Sequence, residues 1–187
     1  MEKPVIRLHR LAAVLKRLRR TGWVDRGVRD PETVASHSYA VALLSILLAE
    51  ARGLDVAEAA RMALLHDLPE AVVGDLTPEM KAGDPGWEMR EEEVVEELLE
   101  ALPGKVAERW RAAWRRLKGG RTPEARLVKS VDKLEMGLQA ALYREEAEVG
   151  DIYESALREV GDEELRAILE KAWRMRLNTP GGPEDRG

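Results

Sequence analysis

The sequence predicts an all-α protein, and three of its features support that prediction. Apolar residues recur at the three- and four-residue spacing of amphipathic helices along most of the 187 residues. No run of β-branched residues alternates with the two-residue period of a strand, and Gly and Pro cluster between the periodic segments. Because a chain of this length can bury one core, we expect one domain over 1–177 and a disordered tail, NTPGGPEDRG, over 178–187.

The N-terminal part of the chain is predicted to contain two long helices. Leucines at helical spacing mark a first helix over 5–20, which ends at the turn TGW over 21–23. A charged loop follows over 24–32. Residues 33–52 form the most apolar segment of the chain and leave little room for a solvated face, so we expect the central buried helix here.

The helices after residue 52 are placed by their capping residues and breaks. Gly53 suits the C-cap of the central helix. Asp55 is predicted to cap the N-terminus of a helix over 56–66, with Glu58 completing a capping-box-like pair. Residues 67–82 should hold a short helix and then an irregular loop. Further amphipathic helices are predicted over 87–101, 104–118, 123–148 and 151–175.

Composition limits the kinds of site that this chain can contain. It has no cysteine, which excludes disulfides, thiolate zinc sites, iron–sulfur clusters and a cysteine nucleophile. A metal would therefore have to bind to His, Asp and Glu. The net charge is −5 with both signs mixed along the chain, so we expect no large basic footprint for duplex nucleic acid.

The distribution of residue types also predicts where the protein works. The N-terminus is charged every few residues, and no stretch approaches the roughly eighteen apolar residues of a membrane span. We therefore expect a soluble, cytoplasmic protein without membrane contact. Side-chain amides are rare, Arg outnumbers Lys and Glu is abundant, which favours a thermophilic source.

Two of the three histidines, His37 and His66, lie in stretches that are predicted to be deeply buried. A buried imidazole needs a partner for each of its nitrogens, and a metal on one with a hydrogen bond on the other satisfies it well. A single histidine on an apolar helix is more often a satisfied core residue. However, Asp67 directly follows His66 and adds an anionic oxygen beside a neutral nitrogen, a combination that divalent cations prefer.

Asp132 is a further anomaly, because it sits on a mainly apolar stripe of a predicted helix. A buried carboxylate is costly unless it is paired or bound to metal. An ion pair with Lys129 or Lys133 would explain this residue equally well. Together with His37, His66 and Asp67, Asp132 would supply two nitrogens and two carboxylates from three helices.

The order of these residues, a His, then a His-Asp pair and then a distant Asp, resembles the signature of the HD-domain superfamily of metal-dependent phosphohydrolases. More narrowly, three segments are similar to the HD-domain 5'-deoxynucleotidases: RTGWVDRGVRDPETVASHSYAVALL, ALLHDLPEAVVGDLTP and KSVDKLEMGLQAALY. The similarity spans roughly residues 8–145. A His-Asp pair alone is a weak motif, whereas HDxxE followed by GDL and a later DKLE-type helix is a specific combination.

The resemblance implies a single-domain helical bundle around a divalent-metal site, a homodimer, and hydrolysis of (deoxy)nucleoside 5'-monophosphates. The metal ligands would be His37, His66, Asp67 and Asp132. Manganese, cobalt, magnesium, iron and nickel all suit such a set. Two alternatives stay open: a nucleoside triphosphate or alarmone (ppGpp) hydrolase on the same scaffold, and a non-catalytic regulatory module that binds metal or nucleotide.

The resemblance also implies two catalytic residues. Glu70 matches the glutamate that activates water, and would lie on the face of His66 if the helix continued past it. Asp75 matches an aspartate that assists catalysis, contacts substrate or binds additional metal in different members of the family. The alternative for both is a solvated carboxylate at a helix end.

Substrate binding is expected at Arg20, Trp23, Asp75, Leu76 and Thr77. A planar guanidinium suits the oxygens of a phosphate, and Arg20 is preferred over Arg26 for this role. Leu76 and Thr77 would line the nucleotide site by the resemblance. Trp23 would flank the site, although a tryptophan at a helix end is more often part of a core.

Overall fold

The computed structural model describes residues 2–175, and all the regular elements within that range are helices, which confirms the all-α prediction. The predicted tail over 178–187 lies outside the described residues. The helices are α1 Glu2–Leu15, α2 Thr21–Val24, α3 Val34–Ala51, α4 Val56–Leu65, α5 Glu70–Val73, α6 Pro78–Ala82, α7 Trp87–Glu100, α8 Gly104–Gly119, α9 Pro123–Tyr143, α10 Gly150–Glu159 and α11 Glu163–Met175.

Helix α9 forms the axis of the bundle and packs against α3, α4, α8, α10 and α11. Val41 of α3, Met62 of α4 and Val131 of α9 are fully buried where these helices meet. Gly137 lets α11 approach closely, because a Cβ atom there would lie 2.7 Å from Leu169 Cδ1. The shared core holds α3, the end of α4 and α9 side by side, and these are the segments that carry the candidate metal ligands.

Helix α3 is less buried than its sequence predicts. Its N-cap is Thr33, whose side chain accepts a hydrogen bond from the Ser36 amide. One face packs against α4 and α9, but the opposite face exposes Tyr39, Leu43 and Leu47 by 53–69%. The prediction that it has little room for a solvated face was therefore wrong, because hydropathy alone does not show which face has a partner within the chain.

By length and composition, α3 also meets the criteria for a membrane-spanning helix, contrary to the sequence-based expectation. A core helix of a soluble protein meets the same criteria. In this fold α3 packs against α4 and α9 and buries polar side chains, including His37 and Ser45. Its place in the bundle therefore accounts for the apolar residues of the packed face, but not for those of the exposed face.

The first helix begins and ends earlier than predicted, at Glu2 and Leu15 instead of residues 5 and 20. The chain turns after Leu15, and Arg19 then forms an isolated antiparallel bridge with Thr33. The Arg20 amide donates to the Glu32 carbonyl at 3.0 Å in the same pairing. Arg20 consequently has an extended backbone and leaves the helix, which allows its side chain to enter the bundle.

The C-terminal region contains three helices where the sequence predicted two. Helix α9 ends at Tyr143, not at residue 148, and the predicted helix over 151–175 is broken between α10 and α11. Asp162 ends the break, because its side chain accepts a hydrogen bond from the Leu165 amide at 3.1 Å and so caps α11. Gly161-Asp162 was the sequence signal for this boundary.

Candidate functional site

Three segments that are far apart in the sequence meet at one point between α3, α4 and α9. His37 Nε2 lies 3.1 Å from Asp132 Oδ1 and 3.4 Å from His66 Nε2. His66 Nε2 in turn lies 3.1 Å from Asp67 Oδ2. The structure therefore brings together all four residues that were predicted to bind metal.

The chemistry of this cluster fits a divalent cation. His37, His66 and Asp132 each direct one ligand atom to a common point, with those atoms within 4.8 Å of one another. Asp67 is not part of that group, but its Oδ2 atom lies beside both histidines, 3.6 Å from His37 Nε2 and 3.1 Å from His66 Nε2. Two imidazole nitrogens and two carboxylates suit a borderline or hard cation.

The ion-pair alternative for Asp132 is also present in the structure. Lys133 Nζ lies 3.3 Å from Asp132 Oδ2, the oxygen other than the one beside His37. Lys129, the second candidate partner, instead donates to the Lys118 carbonyl at 3.2 Å. Asp132 therefore presents one oxygen to the histidines and the other to a lysine, and the two interpretations do not exclude each other.

Electrostatics within the cluster favour positive charge. Burial and Arg20 both oppose protonation of His37, but hydrogen bonds to Asp132 and Glu135 outweigh them and raise its pKa to about 10. Burial alone would raise the pKa of Asp67, but the neighbouring His66, His37 and Arg20 hold that pKa below its usual range. A cluster that stabilises a protonated imidazole this strongly is suited to a bound cation.

Glu70 lies beside the cluster, but not on a continuation of α4 as the sequence suggested. Helix α4 ends at Leu65, residues 66–69 form a turn that includes Pro69, and Glu70 begins the separate helix α5. The side chain is buried, and its Oε2 atom has no hydrogen-bond partner among the described residues. Burial, Asp67 and Asp75 raise the pKa of Glu70 to about 10, so this carboxyl group is not the solvated helix-end residue of the alternative interpretation.

Asp75 is held against the first residue of α2. Its carboxylate accepts a hydrogen bond from the Thr21 amide, and the Thr21 hydroxyl donates to the Asp75 carbonyl at 2.8 Å. Gly74 has a positive φ of 87°, a conformation that glycine adopts at low cost, and so directs Asp75 back towards the cleft. Asp75 Oδ1 also lies 4.0 Å from Arg20 Nη1.

The two candidate arginines have different surroundings. Arg20 Nη1 lies 3.2 Å from Asp67 Oδ2, so this guanidinium reaches the predicted metal ligands themselves. Arg26 forms a bidentate hydrogen-bonded pair with Asp151 at the N-terminus of α10. The structure thus places Arg20 at the cluster and Arg26 at the rim. Trp23 is 1% exposed and packs in a core cluster, but it also contributes to the cleft wall.

A cleft of about 630 Å³ opens beside the cluster. Leu76 and Thr77, which were predicted to line a nucleotide site, lie in its wall, and Thr77 also caps α6 by accepting a hydrogen bond from the Met80 amide. Helix α10 also contributes to the wall, which the sequence did not indicate. The residues of α10 that line the cleft are Asp151, Ile152, Ser155, Arg158 and Glu159.

Sequence reasoning also missed two acids behind His37, the buried Glu135 and the partly buried Glu32. Glu135 accepts a hydrogen bond from His37 Nδ1, and Glu32 lies within 4.8 Å of the same pair. Burial and the neighbouring Glu135 raise the pKa of Glu32 to about 7. A signal for Glu135 was available, because it lies one helical turn after Asp132 on an apolar helix. Glu32 carried no comparable signal, since a loop shows no periodicity.

Comparison with known proteins shows which family this arrangement of residues belongs to. The model of the HD domain matches residues 12–173. The human 5'-deoxynucleotidase HDDC2 is 34% identical over 143 residues, which cover 76% of this chain and 70% of the human one. The PH0347 protein of Pyrococcus horikoshii OT3 has 31% identity and a TM-score of 0.75, covering 94% of this chain and 99% of that one.

A more distant structure shares the fold. The HD phosphohydrolase DatZ of cyanophage S-2L, bound to dA and one catalytic Zn²⁺ ion, has a TM-score of 0.54 and 24% identity, covering 89% of this chain and 94% of that one. The family match covers most of the chain, and the His, His-Asp and Asp residues of the cluster lie within it. The chain therefore belongs to the HD-domain family.

Proposed function

We propose that the protein is a metal-dependent phosphomonoesterase that hydrolyses (deoxy)nucleoside 5'-monophosphates to nucleoside and phosphate. One observation carries the proposal: a single cleft is lined by the two aspartates of the His and Asp donor set, by a buried glutamate with an unpartnered oxygen, and by an arginine that pairs with one of those aspartates. The similarity to the human 5'-deoxynucleotidase supports the substrate class.

We assign the divalent cation to His37, His66, Asp67 and Asp132. When bound, a cation of this kind neutralises phosphate charge and lowers the pKa of a water molecule. The donor set suits manganese, cobalt, iron, magnesium and nickel, and the general order of metal affinities does not choose among them. Metal identity is therefore part of the test below.

Glu70 is assigned as the group that takes a proton from the attacking water. Its Oε2 atom is buried at the cleft and has no partner among the described residues, so it is free to accept a hydrogen bond from a water molecule. A carboxyl group whose pKa is raised by burial is a stronger base than an ordinary glutamate once it is ionised. This explains why a costly buried acid is placed here.

Phosphate and nucleoside are assigned to different parts of the cleft. The guanidinium of Arg20 lies beside Asp67, where its paired donors suit phosphate oxygens next to the cation. Asp75 fixes the Thr21 amide and thereby the position of Arg20. Trp23, Leu76 and Thr77 provide the wall against which the nucleoside packs.

The charge of the cleft favours a monophosphate over the more highly charged alternatives. The sequence offered too few cations for a triphosphate or alarmone, yet the structure lines the cleft with more than expected. Arg26 is paired with Asp151, and Lys133 with Asp132 and Glu159, so much of this positive charge is neutralised. A non-catalytic module would not need the buried Glu70.

The test is phosphate release from dAMP, dGMP, dTMP, AMP, dATP and ppGpp by protein that is stripped of metal and then given manganese, cobalt or magnesium. We expect metal-dependent release from the deoxynucleoside monophosphates, and AMP reports the sugar selectivity. Turnover of dATP or ppGpp alone would move the protein to the triphosphate or alarmone branch. No turnover with metal demonstrably bound would instead identify a regulatory module.

We further propose that the protein forms a homodimer through the exposed face of α3. Tyr39, Leu43, Ile46 and Leu47 follow the spacing of one helical face and are 37–69% exposed. Four large apolar side chains in one stripe form a patch on the order of a few hundred Å², the size that marks an interaction site on a monomer. A two-fold axis would pair this stripe with its copy.

The homodimer is tested by measuring molar mass in solution. We expect a dimer for the unchanged chain and a monomer for Leu47→Glu, because a charge within the stripe would be buried without a partner. Ile168→Glu is the matched control, since Ile168 is 43% exposed on α11, outside the stripe. A monomeric unchanged chain would contradict the proposal.

We also infer a heat-adapted, cytoplasmic protein. Arg52 pairs with both Asp162 and Glu164, and Glu58 pairs with both Arg61 and Arg116, which are the small ion-pair networks that are enriched in such proteins. The proposed substrates are cytoplasmic metabolites, which agrees with the expected location. A melting temperature above about 65 °C would support heat adaptation, and a lower one would contradict it.

A further inference from the structure

In the two histidines of the cluster, the Nδ1 atom has a different kind of hydrogen-bond partner. His66 Nδ1 lies 2.6 Å from the Ala63 carbonyl, so the backbone of α4 orients that ring. His37 Nδ1 has no such carbonyl partner and instead forms a hydrogen bond with the Glu135 carboxylate. His37 is therefore the ring whose orientation depends on another side chain.

The hydrogen bond to Glu135 also fixes which nitrogen of His37 carries the proton. Nε2 faces Asp132, His66 and Asp67, so it is the nitrogen that must present a lone pair to a cation. The hydrogen must then be on Nδ1, where it donates to Glu135. Metal-binding histidines generally donate their other N–H to a carboxylate or carbonyl, which sets both tautomer and ring orientation.

Nothing else in the described part of the chain explains why Glu135 is buried. It is 6% exposed in a helix that is otherwise packed with apolar residues. Among residues 2–175, His37 is the only charged partner within 4.0 Å of its carboxylate. A buried carboxylate with a single partner is costly, so its presence indicates a role through that partner.

We propose that Glu135 is a positioning residue for the metal site: it holds the His37 ring and keeps its proton on Nδ1, so that Nε2 is available to the cation. Asp132 and Glu135 lie one turn apart on α9, so a single helix carries both a metal ligand and the acid that orients another ligand. This inference rests on the metal site proposed above.

The experiment compares three variants that separate reach from charge. Glu135→Ala removes the acceptor. Glu135→Gln keeps an oxygen at the same distance but removes the charge, and Glu135→Asp keeps the charge but is one methylene too short. Glu91→Gln is the matched control, because Glu91 is an equally buried carboxylate that pairs with Lys118, whose partners lie outside the cleft.

Cobalt affinity is measured by competition with a chelating dye, together with the cobalt content and visible spectrum at saturation. We expect Glu135→Ala and Glu135→Asp to bind cobalt about 10- to 100-fold more weakly, with one cobalt still bound at saturation. Glu135→Gln should recover most of the affinity, and Glu91→Gln should match the unchanged chain. If Glu135→Ala does not fold, the order of the Gln and Asp variants decides.

Three results would overturn the inference. Affinity equal to that of the unchanged chain in the Ala and Asp variants would show that Glu135 does not orient a ligand. Higher affinity in Asp than in Gln would show that charge matters and the hydrogen bond does not. Loss of one bound cobalt at saturation would make Glu135 a ligand itself. If the unchanged chain binds no cobalt, the proposed metal site fails, and this inference fails with it.

Discussion

The two ends of the cleft are built from the same kinds of residue but held in different ways. At the inner end, Glu70 and the adjoining His37 are buried and the Arg20 side chain is 14% exposed. His37 and Arg20 each contact several charged groups. At the outer wall, Arg26 and Asp151 pair with each other, and the Asp151 side chain is 64% exposed. Buried charges interact strongly because little water screens them, whereas exposed pairs contribute little.

This contrast predicts that the two ends of the cleft have different roles in the reaction. Charges at the inner end are held in one arrangement and cannot be removed without leaving another buried charge unpaired. Those at the wall can rearrange in solvent at low cost. We therefore expect chemistry to depend on the inner end and substrate preference to depend on α10.

The largest effect is expected for Asp132→Ala. Removing this carboxylate takes away a proposed ligand and one ionic partner each of His37 and Lys133, so metal content and phosphate release should both fall to background. Metal per chain and phosphate release are measured on the same sample. Glu159→Gln is the control, because Glu159 contacts the same Lys133 from the wall; an equal loss in that variant would remove the distinction between the two ends.

Glu70→Gln should separate catalysis from metal binding. The amide keeps the shape of the side chain but cannot accept a proton from water, so phosphate release should fall by about 100- to 10,000-fold. Metal content should stay at the level of the unchanged chain. Unchanged release in a metal-replete sample would refute the assignment, and loss of metal would indicate that Glu70 is a ligand.

The pH dependence of the stability of the metal-free protein should also reflect the buried groups at the inner end. The pKa of His37 is raised from 6.5 to about 10, and that of Glu70 from 4.5 to about 10. Because the folded state binds these protons more tightly than the unfolded state, the stabilisation is complete below the unfolded pKa and is lost as pH rises towards 10.

Melting temperature in the presence of a chelator, from pH 6 to pH 9.5, measures this dependence. We expect it to fall with rising pH, and to fall less steeply in Glu70→Gln, which cannot ionise. Arg26 and Asp151 keep their charges throughout this range, so removing that pair should leave the slope unchanged. A melting temperature that rises with pH would contradict the arrangement at the inner end.

The smallest effect is expected for Arg158→Ala at the wall. Arg158 lines the cleft and is exposed, and it forms no ion pair with any residue that the structure describes. Its interaction with a substrate is screened by solvent, so KM should rise about fivefold or less with kcat nearly unchanged. A loss in kcat as large as that of Glu70→Gln would show that the wall also takes part in the chemistry.

The sequence was sufficient for the fold class and for the residues that meet at the inner end. Helical periodicity can be recognised within a short stretch of sequence. A polar residue within an apolar stretch is also conspicuous, as His37 and Asp132 were. The N-cap at Asp55 was confirmed for the same reason, since its side chain accepts from the Glu58 amide at 2.9 Å. The reciprocal half of that capping box is absent, because Glu58 instead pairs with arginines.

The rest depends on contacts between segments that are far apart in the chain. The path of α10 is set by its packing on α9, so no local pattern could place Ile152 or Arg158 in the cleft. The direction of Arg20 follows from its pairing with Glu32, twelve residues later. Two of the errors of helix length, at 16–20 and at 160–162, occurred where the chain leaves a helix to make such long-range contacts.

The pairing of residues 19–20 with 32–33 has a consequence for protein engineering. It closes the segment between them at its base, and Arg29 and Asp30, which lie near that base, are exposed and pair with Glu146 and Arg19 at the surface. Doubling the length of a closed loop costs only about 0.6 kcal/mol. Neither residue lines the cleft. An affinity tag or a fluorescent label inserted between Arg29 and Asp30 would therefore affect only two surface ion pairs while Arg20 and Glu32 keep their pairing, which makes this position a handle for immobilising the enzyme.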